Sequence, residues 1–174
     1  TAQQVIDNYA AALGGKSKLE AVKTVKTLST IKVMGMEMEA TTLEMAPNKS
    51  KAVQKIMGQE MVQVFDGEKG YMMQAGQRMD LPAPAIEEAK KKRLFEVLSY
   101  NPADFKTVEK VTEEGKELYL LAGAGKKLYF DTKTNLLVKS TSDKGDMVIL
   151  DYMEVDGIKF PKNLKLAMMG QNME

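Results

Sequence analysis

The 174-residue sequence contains no histidine and no cysteine. Those two absences remove most catalytic kits at once. Without imidazole or thiol there is no Ser-His or Cys-His nucleophile, no histidine acid–base pair, and no thiolate or imidazole metal site. Arginine is nearly as scarce. Arg78 and Arg93 are the only two, so bidentate phosphate recognition has few agents. No sign of charge dominates: 25 basic residues face 24 acidic ones, a net charge of +1. That balance gives no electrostatic reason to expect nucleic acid or an anionic membrane. No apolar run approaches the roughly 20 residues of a membrane-spanning helix. The lack of cysteine is compatible with an oxidising compartment. The first residue is Thr1 rather than methionine, so the expectation is a segment processed or excised from a longer precursor.

What the sequence does have is glycine-punctuated alternation. Thr1 and Gln4 carry capping-box spacing, and Val5, Ile6, Tyr9, Ala10 and Leu13 recur at helical spacing up to Gly14-Gly15. Ser17 to Glu20 repeats the cap signal for a short second helix. From about Thr24 the period becomes two. Strand-like runs follow, separated by Gly35, Gly58, Asp66-Gly67 and Gly76. The stretch LPAPAIEEAKKKRLFEVLSYNP interrupts them and predicts one helix, with Ile86, Leu94, Val97 and Leu98 as its apolar stripe. Strands then resume to the end. No linker or low-complexity tract breaks the pattern, so one domain over residues 1–174 is expected. The fold class is α+β: about eleven antiparallel strands in a strongly curved sheet, an incomplete barrel. A leading helix and a central helix cover its concave face.

One phrase occurs three times: VMGMEM (Val33 to Met38), IMGQEM (Ile56 to Met61) and MMGQNM (Met168 to Met173). A type II′ hairpin turn at Gly35-Met36 sets Val33 against Met38, Ile31 against Ala40 and Lys32 against Glu39. The same rule at Gly58-Gln59 sets Ile56 against Met61, Val53 against Val64 and Lys51 against Asp66. At Gly170-Gln171 it sets Met168 against Met173. The inward positions are then Val33, Met38, Ile56, Met61 and Met168, the candidate ligand-binding residues. A thioether metal site needs several sulfurs converging on one point, and alternation splits these methionines between two faces. No metal is expected. Two readings stay open: methionine as core filler, and methionine as the lining of an adaptable apolar cavity.

The other polar clusters read as structure. Glu87 and Glu88 sit among Lys90 to Arg93, where charge pairs on a solvated helix face are the usual meaning. Asp66, Asp131, Asp151 and Asp156 fall at turns or strand ends. GEKG (Gly67 to Gly70) and GAGKK (Gly123 to Lys127) lack the spacing of a phosphate loop. No nucleophile stands beside a base, so no enzyme activity and no cofactor are expected.

VIDNYAAALGG, VFDGEKGYMM, LYFDTKTNLLVKS and DYMEVDGIKFPKN, in that order around a central helix, resemble the LolA/LolB-like superfamily of bacterial lipoprotein-sorting proteins. The resemblance implies an incomplete antiparallel barrel closed by helices. Its apolar interior would receive a lipid or lipoprotein acyl chain in the periplasm or at the outer membrane. In the carrier of that family an arginine on an early strand holds the lid closed. Here both arginines follow Gly76, so that lid mechanism does not carry over. The phrases MGQ, FDGEKG and GIKFP are similar to segments appended to insulinase-type zinc peptidases of Bacteroidetes-like bacteria. That likeness implies a second function, a non-catalytic accessory or scaffold domain of a larger envelope protein with a filled core. The strand at Asn163–Met169 has only a few residues left to pair with it. A neighbouring domain or chain is therefore the expected partner at that edge.

Overall fold

The computed structural model describes residues 1–168 and 171–173. Two helices, α1 (Ala2–Leu13) and α2 (Lys16–Ala21), precede six strands: β1 (Thr24–Val33), β2 (Met36–Met45), β3 (Lys49–Ile56), β4 (Gln59–Phe65), β5 (Gly70–Gln74) and β6 (Gln77–Asp80). Helix α3 (Ala83–Lys91) and two short 3₁₀ turns (Glu96–Ser99 and Pro102–Asp104) come next. Seven strands complete the chain: β7 (Thr107–Glu113), β8 (Lys116–Gly123), β9 (Lys126–Asp131), β10 (Leu137–Ser142), β11 (Gly145–Val155), β12 (Ile158–Met168) and β13 (Gln171–Met173). The class is α+β with antiparallel pairing, as the alternation predicts. Thirteen strands form rather than about eleven, because β6 and β13 are too short to show a period of their own. The chain divides into two compact units, a terminal one (Thr1–Leu19 with Tyr100–Glu174) and a central one (Glu20–Ser99).

The terminal unit is built around α1. The expected capping box forms: Thr1 Oγ1 accepts the Gln4 N–H at 3.3 Å, and Gln4 Oε1 accepts from the Thr1 amino group at 3.1 Å. The predicted stripe Val5, Ile6, Tyr9, Ala10 and Leu13 is buried, together with Ala2. Strands β7 to β13 each pair with the next in chain order. The Tyr9 ring lies 5.2 Å from that of Phe130, and Leu121, Leu128 and Phe130 are at most 1% exposed. Tyr152 donates its hydroxyl to the Leu137 carbonyl at 2.7 Å. Burial pushes that phenol up to about 12, against a hydrogen bond from Tyr9 that lowers it. The turn carboxylates behave as turn chemistry requires. Asp131 Oδ1 accepts the N–H groups of Lys133 and Thr134 at 2.8 and 2.9 Å.

The central unit is a sheet in the order β6-β5-β4-β3-β2-β1, with α3 and the Glu96–Ser99 turn. The predicted single helix over LPAPAIEEAKKKRLFEVLSYNP is shorter than expected. It stops at Lys92, whose backbone is extended at φ −64°, ψ 150°. Four consecutive cations, Lys90 to Arg93, crowd that turn, and Arg93 folds back to donate to the carbonyls of Lys90 (3.4 Å) and Lys92 (2.9 Å). The helix end is thus satisfied by a side chain instead of a further turn.

The hairpin register also differs from the expectation. The two-residue loops are Met34-Gly35 and Met57-Gly58, with φ of +49° and +81° in each. Both residues are left-handed, which makes these type I′ turns rather than type II′. Val33 therefore pairs with Met36 and Ile31 with Met38. Ile56 pairs with Gln59, Val53 with Val62 and Lys51 with Val64. In the third phrase Met168 pairs with Gln171 and Leu166 with Met173; the turn expected at Gly170-Gln171 falls partly outside the described residues. Each pairing is offset from the expected one by two residues. A shift of two preserves the face of every side chain, where a shift of one would invert it. Lys32 accordingly finds a glutamate on the expected face, Glu37 at 3.1 Å, instead of Glu39. At the edge expected from Asn163–Met169, residues Leu166–Met168 of β12 pair with β13.

Candidate functional site

The two faces of the central sheet differ in chemistry. Unbroken register across all six strands assigns each side chain to one face. The outer face alternates Lys26, Lys32, Glu37, Glu39, Lys49, Lys51, Lys55, Glu60, Arg78 and Asp80 with apolar residues. Arg78 stacks on Tyr71 there, 4.1 Å from the ring centre. The inner face carries aliphatic, methionine, small, hydroxyl and glutamine side chains. Glu44 is its single charged residue among those described.

Apart from Glu44 the inner face is uncharged among the described residues, but it is not filled. Ala40, Phe65 and Gly70 are buried on it, and most of the rest stays half-buried. Two hollows open on the central unit along that face. One, of about 390 Å³, lies over a single cross-strand row, Val25, Glu44, Ser50 and Phe65, with their chain neighbours completing the wall. Gly70 ends this row; a Cβ there would meet the Leu81 side chain at 2.5 Å and the Val64 carbonyl at 2.8 Å. The second hollow, of about 360 Å³, is lined by Ile56, Met57, Gln59, Glu60, Met61 and Gln74. Both volumes are within the range of small-molecule sites. Small residues separate them: Thr27, Ser29, Ala40, Thr42 and Ala52. From Glu44 to Met38 along β2 is about 20 Å at the usual strand rise.

Of the five sequence candidates, Ile56 and Met61 meet in the second hollow. Val33 and Met38 share its face on β1 and β2. Met168 lies in the terminal unit, on β12. The turn methionines Met34 and Met57 project into solvent, 81% and 87% exposed.

Sequence reasoning missed Val25, Phe65 and Glu44. The signal for Glu44 was present in MEMEATTLEM: Glu37 and Glu39 share one parity, and Glu44 falls on the other with Met36, Met38 and Ala40. Loss of hydration raises its half-buried carboxyl above the ordinary glutamate value, and the opposing charge of Lys92 lowers it by less. Asn48 ties the turn beside it to α3, donating to the Lys90 carbonyl at 3.2 Å. By contrast Asp66 is a turn residue. Its carboxylate accepts from the backbone of Lys69 (2.8 Å) and Glu68 (2.9 Å), which lowers its pKa. Among the described residues no group of three or more acidic side chains is placed to hold a metal ion. No described helix is long and apolar enough to cross a membrane.

No protein-family profile and no curated protein matches the chain. Its fold is similar to the crystal structure of a DUF1329 family protein from Desulfovibrio piger, with a TM-score of 0.58 over 99% of this chain and 89% of that one, at 9% sequence identity. LprF from Mycobacterium bovis aligns over the same shares at 11% identity, with a TM-score of 0.34. At these identities the likeness concerns the fold alone, and the second is too distant to bear on it.

Proposed function

We propose that the protein is a non-enzymatic cell-envelope binding domain. Its central unit receives the apolar chain of a lipid or of a lipoprotein on the inner face of β1 to β6. The observation that carries this reading is the inner face, with Glu44 as its single charge among the described residues, and its two hollows. A sheet face that keeps charge out but leaves its side chains half-exposed forgoes roughly 25 cal/mol of stabilisation per Å² left wet. A ligand that covers the face recovers that energy. Methionines at Met38, Met61 and Met72 suit a lining that adapts to a flexible chain. Val33, Met38, Ile56 and Met61 are the contacts nearest the tail in this reading, with Val25 and Phe65 at the other end. The resemblance to LolA/LolB-like proteins agrees with it and favours an incomplete barrel in the periplasm or at the outer membrane.

Titration with a fluorescent fatty-acyl probe tests the reading. Saturable binding is expected, and Met38→Glu, which places a charge on the inner face, should abolish it while leaving the melting temperature within a few degrees. Absence of saturable binding by the folded protein would favour the scaffold reading, in which the domain serves a larger envelope protein and binds nothing.

A further inference from the structure

Glu44 stands out on the inner face because nothing inside the chain needs it there. It sits in the row Val25, Glu44, Ser50, Phe65, between Val25 and Ser50, and lines the 390 Å³ hollow. Among the described residues no hydrogen bond or ion pair within 4 Å engages its carboxylate. The charge that acts on it is that of Lys92, beyond the end of α3. A carboxylate deprived of water in this way lowers the stability of the fold. A glutamine, or a threonine like its neighbour Thr42, would fill the position without that cost. An unpaired charge in a hollow is the kind of group that sites keep for a ligand.

Resting on the reading above, we propose that Glu44 receives the head of the ligand, and that this head is a primary ammonium on a single long apolar chain. The acyl or alkyl chain then runs from Glu44 over Ala40, Thr42 and Ala52 towards Ile56 and Met61. The geometry sets the polarity of binding: Glu44 is the one inner-face charge among the described residues, whereas Glu60, at the wall of the other hollow, belongs by register to the outer face. An ammonium donates to the carboxylate and replaces the hydrogen bonds it lost with water, and a carboxylate or phosphate head is repelled by it. Lys26, Lys49 and Lys51 border the same hollow but belong by register to the outer face. Lys92 competes with the ligand for Glu44, so removing its charge tightens binding.

Displacement of the fluorescent acyl probe by three competitors of equal chain length tests this: tetradecylamine, methyl myristate and myristate, each below its micellar concentration. The wild-type protein should bind the amine tightest and myristate weakest. Glu44→Gln should weaken the amine about tenfold while shifting methyl myristate by less than about twofold. Lys92→Gln should tighten the amine, and serves as the second variant should Glu44→Gln fail to fold. Equal amine affinity in wild type, Glu44→Gln and Lys92→Gln would overturn the assignment, as would myristate binding as tightly as the amine. If methyl myristate binds and the amine is not preferred, the ammonium head is wrong and the apolar site stands. If the probe binds and no competitor displaces it, the ammonium head is wrong; if the probe itself does not bind, both readings fall.

Discussion

Helix α1 of the terminal unit buries six of its residues; α3 of the central unit leaves all nine of its residues at least partly exposed. The sheets repeat the contrast. In the terminal unit Leu118, Leu121, Leu128, Tyr129, Phe130, Leu137 and Ile149 are buried across four neighbouring strands. In the central unit the buried apolar residues are Ala40, Phe65, Phe95 and Val97. The two units are built alike, from antiparallel strands joined by turns with a left-handed residue before glycine. What separates them is occupancy. The terminal unit fills its interior with its own aromatic and leucine side chains. The central unit lines its inner face with methionine, alanine, threonine and glutamine and leaves it half-exposed. One unit fills its interior; the other leaves exposed the face on which we propose that a ligand binds.

The largest test of this contrast is truncation. Phe130→Ala should cost about 3–5 kcal/mol, the range for emptying a packed aromatic site. Met61→Ala, in a half-exposed hollow, should cost less than about 1 kcal/mol. Equal costs in chemical denaturation would erase the distinction between filled and open units.

The second test is alkaline. Tyr152 has a folded pKa near 12 against 10.0 unperturbed. The folded state disfavours its ionisation, so its contribution is complete below about pH 10 and is lost as pH rises towards 12. The loss should be on the order of 2 kcal/mol. Tyr152→Phe should flatten the stability profile over that window. An unchanged profile would mean that the phenol is not held neutral by the core.

The third concerns the turns. Met34 and Met57 occupy left-handed positions of type I′ turns, where asparagine is favoured. They gain little burial in return. Met34→Asn and Met57→Asn should each stabilise the protein by about 0.5–1 kcal/mol. Gly35→Val should destabilise it by more than about 1 kcal/mol. A loss of stability on Met34→Asn would show that the exposed methionine packs against something.

The smallest effect belongs to Glu44. Its raised pKa means that the charged form is disfavoured in the fold, so the cost is present at neutral pH and disappears as pH falls through the raised value. Glu44→Gln should raise the melting temperature slightly at pH 7, and the gain should vanish in acid. A drop at pH 7 would make Glu44 a structural residue.

Much of this was legible in the sequence because parity is robust. Val33, Met38, Ile56 and Met61 were assigned one face from a turn type that proved wrong. The error amounted to two residues, and a period of two absorbs it. The turn type itself was misread because Met-Gly is an uncommon type I′ pair; the glycine was recognised and its left-handed methionine partner was not. The break at Lys92 was not readable from the apolar stripe Ile86, Leu94, Val97, Leu98, since that stripe continues through the break. Glu44 was legible in principle. In MEMEATTLEM it is the one glutamate out of phase with Glu37 and Glu39.

The methionines allow the most direct measurement of the central claim. With ¹³C-labelled methyl groups on methionine, addition of a fatty-acyl ligand should shift the resonances of Met38, Met61 and Met72 on the inner face of the central sheet. The signals of Met73 on its outer face, and of Met147 and Met153 in the terminal unit, should stay in place. Shifts confined to the outer face or the terminal unit, or no shifts at saturating ligand, would contradict the account.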